Sequence, residues 1–137
     1  MERVIADTGF VVALTNQRDR YHSDVVSIYL QYPEILLPQL VLVEVCYLIG
    51  RDVGIAKVVQ FLRNLPSSRF QVIQATDTDL DRTAEILEQY IDSKLDFVDS
   101  SIMAIAERLN IQTVLTIDRR DFQILRPKHC EYFIVKP

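Results

Sequence analysis

Two cysteines, two histidines and no long apolar run mark what this chain of 137 residues does without. Cys46 lies in an apolar run and Cys130 near the end; neither their number nor their spacing makes a disulfide framework or a zinc site. Both read as reduced packing residues. No segment reaches the roughly 18 uninterrupted apolar residues that a membrane helix requires, and Met1 leads into a charged pair without a signal-peptide layout. The expected setting is the cytoplasm, away from membranes. Excess positive charge is lacking too. A formal charge of -4 excludes a protein that holds nucleic acid by bulk basicity alone. It leaves room for a nucleic-acid enzyme whose acids gather cations where the phosphate must sit. Repeats, linkers and low-complexity tracts are absent, and a 49% hydrophobic composition suffices for one domain over residues 1–137.

Short apolar runs alternate with helical periodicity along the chain. Arg3 to Ala6 reads as a buried strand, broken by Asp7-Thr8-Gly9 before the helical run from Phe10 to Leu14. Asp7 therefore ends the first strand, either as a helix cap or as a ligand at the edge where α/β sheets bind. A helix is expected over Tyr21 to Tyr32, with His22 a capping or surface residue. A strand follows over Glu34 to Leu37, and Pro38 opens a helix over Gln39 to Arg51. Glu44 stands among aliphatic neighbours in that helix. It must face solvent, find a partner or bind a metal.

After the turn Asp52-Val53-Gly54, a helix runs to about Leu65 and Phe70 to Ile73 forms the third strand. Thr76 and Asp79 have capping-box spacing for a helix to about Tyr90. Asp77, Asp79 and Asp81 lack the glycine and distal glutamate of a calcium loop and read as helix-start acids. The next helix, ending near Asn110, has Asp96 and Asp99 at its entrance, acids that suit a cap and a first-turn partner or a ligand with its support. Thr113 to Ile117 is expected as a fourth strand ending at Asp118, and Tyr132 to Val135 as an edge strand.

This order implies a three-layer α/β/α fold with a mainly parallel five-stranded sheet, whose right-handed crossovers bring the strand ends to one edge. Asp7, Asp118, the Asp96/Asp99 entrance and Glu44 could then meet. Carboxylates without His or Cys suit hard cations such as magnesium or manganese. Such ions favour phosphodiester chemistry by activating water and offsetting negative charge.

The stretches Ile5-Ala6-Asp7-Thr8, Val43-Glu44-Val45, Asp99-Ser100-Ser101-Ile102-Met103-Ala104-Ile105-Ala106 and Leu115-Thr116-Ile117-Asp118-Arg119-Arg120-Asp121-Phe122, in order over nearly the whole chain, resemble the PIN-domain nucleases, especially the VapC-type toxins. The resemblance implies an acidic quartet of Asp7, Glu44, Asp99 and Asp118 that uses Mg2+ or Mn2+ to hydrolyse RNA. Thr8 and Thr116 match small hydroxyl residues lining the site, and Asp121 matches a closing Asp-Phe position, where a structural cap is expected. Asp96 matches no quartet position and reads as a cap or neighbour of Asp99. Gly9 stands where a serine is more usual. Substrate contacts are assigned to Arg18, Arg20, Arg119 and Arg120, with Arg126 and Lys128, in loops expected near the ligand edge.

A toxin of this type implies an antitoxin partner whose tail enters the acidic site. Apolar helices around residues 40 to 65 suggest a homodimer. Two competing functions are a weakly cleaving PIN-fold binding or regulatory protein, which the intact quartet disfavours, and a phosphotransfer receiver domain. The receiver domain would need paired acids after the first strand or a lysine after the fourth.

Overall fold

The computed structural model describes residues 2–137. Its centre is strand β1 (Val4–Ala6), three residues buried on every side. Parallel partners flank β1: β2 (Ile35–Pro38) on one side and β4 (Thr113–Leu115) on the other. Strand β3 (Phe70–Ile73) adds to β2 and β5 (Ile134–Lys136) to β4, giving the order β3-β2-β1-β4-β5. All four pairings are parallel, so the sheet is wholly rather than mainly so.

Helices α1 (Thr8–Thr15) and α2 (His22–Tyr29) lie between β1 and β2 in the chain, and α3 (Gln39–Asp52) and α4 (Ile55–Asn64) between β2 and β3. Among them α1 packs against both α2 and α3, and α3 against α4, whereas α5 (Asp77–Gln89) packs against α6 (Phe97–Leu109). The chain first moves outward from β1 to β3, then returns across β1 to reach β4. Right-handed crossovers in opposite directions put the two helix groups on opposite faces. The reversal also makes a crevice between the carboxyl ends of β1 and β4, where ligands bind in open α/β sheets.

Helix α6 follows from its sequence. Asp96 caps it by accepting the Asp99 backbone N–H at 2.9 Å, and Asn110 ends it in the left-handed conformation at φ 56°, which asparagine tolerates. Eight successive residues from Asp99 to Ala106 are buried, and their small serines and alanines let α5 approach closely. At the start of α5, Thr76 and Asp79 form the expected capping box. Asp79 is also paired with Arg108 at 3.0 Å, so this helix-start acid ties α5 to the end of α6.

Several boundaries differ from expectation. Helix α2 ends at Tyr29 rather than Tyr32: the chain tightens into turns ahead of Pro33, with the Gln31 N–H on the Ile28 carbonyl and the Tyr32 N–H on the Tyr29 carbonyl, and the Leu30 and Tyr32 carbonyls accept from the Arg69 guanidinium. Pro38 closes β2 before α3 begins at Gln39. Strand β4 stops at Leu115, two residues short of Ile117, because the Thr116 hydroxyl bonds to the groups beside it. Strand β5 starts at Ile134 because Phe133 turns inward onto Phe122, ring centroids 6.0 Å apart. A last helix, α7 (Arg119–Ile124), precedes it. Cys46 and Cys130 are half-buried free thiols. No helix among the described residues is long and apolar enough to cross a membrane.

Candidate active site

The carboxyl end of β1 hands the chain directly to α1, and Asp7 stands between them. It is both cap and buried acid: one carboxylate oxygen accepts the Thr8 backbone N–H at 2.7 Å, the other the Thr116 hydroxyl at 3.0 Å. Thr116 lies just beyond β4 and also accepts the Asp118 N–H at 3.0 Å. That hydroxyl therefore bridges the two strand ends. From α3, Glu44 reaches α1 and accepts the Thr8 hydroxyl at 2.7 Å. The aliphatic neighbours of Glu44 separate as helical geometry requires: Val45 enters the core while Val43 is exposed.

Asp99 is buried in the first turn of α6. Burial pushes its carboxyl well above the usual range, and the charges of Asp96 and Asp7 push the same way. The Asp7 carboxyl is raised to about 6, mainly by burial against the opposing bonds from Thr8 and Thr116, with Glu44 and Asp96 adding repulsion. Asp121 is raised by burial and by Asp118, and it faces Asp99. Crowded carboxylates that resist ionisation are common where function demands them.

The structure thus gathers Asp7, Glu44, Asp96, Asp99, Asp118 and Asp121 around one crevice. Asp118 is exposed at the start of α7 and makes no side-chain cap there. Asp121, expected as a structural cap or a supporting residue, shares a hydrogen bond with Asp99. Asp96 is the cap of α6 and the electrostatic neighbour of Asp99 at once. The all-oxygen donor set, with two buried carboxylates of which one raises the other, fits a hard divalent cation. No three acidic, histidine or cysteine side chains among the described residues converge closely enough to enclose a metal as they stand.

The expected cations divide. Arg119 and Arg120 follow Asp118 immediately; Arg120 offsets the Asp121 charge, while Arg119 donates to the Pro137 carbonyl at 2.7 Å. Arg18 and Arg20 do not sit beside the acids, because α1 carries the chain eight residues, about 12 Å, away from Asp7 before they occur. Arg20 lies over the Tyr21 ring at 4.8 Å. Lys128 is likewise displaced: its N–H donates to Glu107, eight residues along α6 from Asp99. Arg126 donates to the carbonyls of Gln123, in α7, and Leu125.

Two features escaped sequence reasoning. The Ser100 hydroxyl, beside Asp99, is fully buried and lacks a hydrogen-bond partner among the described residues; only its position next to the acid could have signalled it. Gly9 is required by Ile117, whose Cγ1 would lie 2.7 Å from any added Cβ, so a serine there would not fit beside this neighbour.

The fold recurs in known proteins. Ribonuclease VapC26 of Mycobacterium tuberculosis is 27% identical over 135 residues, covering 98% of this chain and 100% of its own. The crystal structure of Mycobacterium tuberculosis VapC20, a sarcin-ricin loop cleaving toxin, superposes with a TM-score of 0.82 at 21% identity over 98% of this chain and 99% of that one. VapBC2 from Rickettsia felis, bound to a DNA fragment from its promoter, gives 0.70 at 18% identity over 98% and 97%. These likenesses establish the shared fold. With strand order, switch-point carboxylates and the PIN domain model aligned over residues 4–126, the chain belongs to the PIN domain family.

Proposed function

We propose that this protein is a metal-dependent endoribonuclease, the toxin of a type II toxin-antitoxin pair. The observation that carries the reading is the burial of both Asp7 and Asp99 at the switch point of the sheet, within range for the Asp7 charge to raise the Asp99 carboxyl. Likeness to a ribonuclease and to VapBC assemblies supports the substrate and the antitoxin partner. Asp7, Glu44, Asp99 and Asp118 would hold Mg2+ or Mn2+, which would activate water and offset charge on the phosphate.

The chain's own groups prepare that site. Thr116 sets the Asp7 rotamer and Thr8 sets Glu44, as supporting hydroxyls do around ligands. Asp96 and Asp121 hold Asp99 in a field that a cation would relieve. Arg120, exposed beside the acids, contacts the substrate phosphate. The protein acts as a homodimer in the cytoplasm, pairing through the exposed Val43 and Tyr47 of α3. An antitoxin would silence the site by offering a cationic side chain to the carboxylates.

The test compares manganese-dependent cleavage of structured RNAs by wild type, Asp7→Asn and Asp99→Asn. Loss of at least a hundredfold in both variants is expected; equal cleavage by all three proteins would overturn the mechanism.

A further inference from the structure

Beyond the far end of α1 lies a cavity of about 260 Å3 between α2 and α4, just below the usual range of about 300–1,000 Å3 for small-ligand sites. Its apolar lining includes the rings of Tyr29, Phe61 and Phe70. The side-chain amides of Gln17, Gln60 and Asn64 face it and carry no intramolecular hydrogen bond among the described residues. Lys57 at its rim makes no ion pair among those residues.

His22 completes the set. Its Nδ1 lies 2.8 Å from the Ala13 carbonyl, which can only accept, so Nδ1 carries the proton. In the neutral ring Nε2 is then an acceptor. The cavity combines an aromatic lining, amides able to donate and accept, one fixed acceptor and a free ammonium group.

We infer that this cavity is a nucleobase subsite, receiving one unstacked base of the RNA substrate at a distance from the cleaved bond. Single-stranded bases are recognised by stacking on aromatic rings and by hydrogen bonds along their edges, the two kinds of group present here. Lys57 and Arg18 share an adjoining cleft with Thr15, Gln17 and Asp52; Arg51 pairs with the Asp52 carboxylate at 2.8 Å, which leaves the two cations to meet the flanking phosphate. The eight residues of α1 separate Asp7 from the cavity by about 12 Å, a span that a few nucleotides cover. This assignment rests on the RNA reading above and gives Arg18 a place in it.

The experiment titrates adenosine and cytidine 5′-monophosphates, with ribose 5-phosphate as control, into metal-free full-length protein by heteronuclear NMR. In parallel, RNA cleavage by wild type, Gln60→Ala and Lys57→Ala is measured with manganese. Saturable shifts at Gln60, Asn64 and His22 with the nucleotides but not the sugar phosphate are expected. Both variants should raise KM at least fivefold with kcat nearly unchanged. If RNA is cut but the nucleotides leave these signals unmoved and the variants cleave normally, the subsite is wrong while the nuclease stands. If nucleotides bind there and no RNA is cut, the subsite stands and the nuclease reading fails. Signals that respond only to an amphipathic peptide would give the cavity to a protein partner and overturn the inference.

Discussion

Asp7 performs two jobs whose energetics conflict. As cap it satisfies a backbone N–H of α1, which favours the fold; as a buried acid raised to about 6 it opposes its own ionisation. In metal-free protein the raised value means that the folded state holds its proton more tightly than the unfolded chain, where the carboxyl titrates near 3.9. Stability therefore falls as pH rises from about 4 to 6, then stays reduced above. Asparagine caps equally well without charge, so Asp7→Asn should stabilise the metal-free protein at pH 8 by about 1–3 kcal/mol. The gain should vanish near pH 4, as urea denaturation with a chelator would reveal. At Gly9 the expectation is steric: Gly9→Ser should cost about 1–3 kcal/mol through overpacking, and Ile117→Ala in the same chain should recover part of it. Chemical denaturation of the single and double variants measures the coupling.

At the scale of elements, α5 and α6 are joined by the bond between Asp79 and Arg108. Burial alone would lift the Asp79 carboxyl, but Arg108 and the Thr76 backbone N–H outweigh it and hold the acid below its usual value. A lowered folded value contributes stability above the unfolded one and loses it as pH falls. Asp79→Ala should cost about 1–2 kcal/mol at pH 7 through the lost cap and hydrogen bonds. The deficit should shrink as pH falls and wild type protonates; unfolding curves at neutral and at acid pH decide it. This element pair was partly legible in sequence. Thr76 and Asp79 announced the cap through local spacing, but the partnership with Arg108 joins residues 29 apart, which no local pattern carries. Helix α2 failed for a related reason: its apolar periodicity continued past its end into the segment whose Leu30 and Tyr32 carbonyls accept from Arg69, the residue before β3.

The whole molecule presents apolar side chains that its own core does not use. Val43 and Tyr47 are 74% and 66% exposed on the outer face of α3, one turn apart, and continue toward Ile55 on α4. A homodimer covering this face is the expected assembly. Light scattering at micromolar concentration should return twice the chain mass, and Tyr47→Asp should return the monomer; a monomeric wild type would refute the interface.

Asp7 and Asp118 stood out in the sequence because each follows an apolar strand, and Glu44 because it interrupts the aliphatic run inside α3, where burial of charge requires a reason; the family resemblance, not the local pattern, set Asp99 apart from Asp96. Alternating strands and helices likewise determined a parallel α/β sheet, since period and punctuation are local properties. Only tertiary structure decided the rest. The order β3-β2-β1-β4-β5 places the ends of β1 and β4 side by side, so that one Thr116 hydroxyl can serve Asp7 and Asp118 together. Packing turned Asp121 toward Asp99 and sent Arg18 to the other end of α1, because helix length and direction, rather than distance along the chain, set where a loop emerges. For Asp96 and Asp99, the entrance of α6 showed that acid was needed there; the fold divided the work between a cap in solvent and a buried carboxylate bonded to Asp121 and raised by the Asp7 charge.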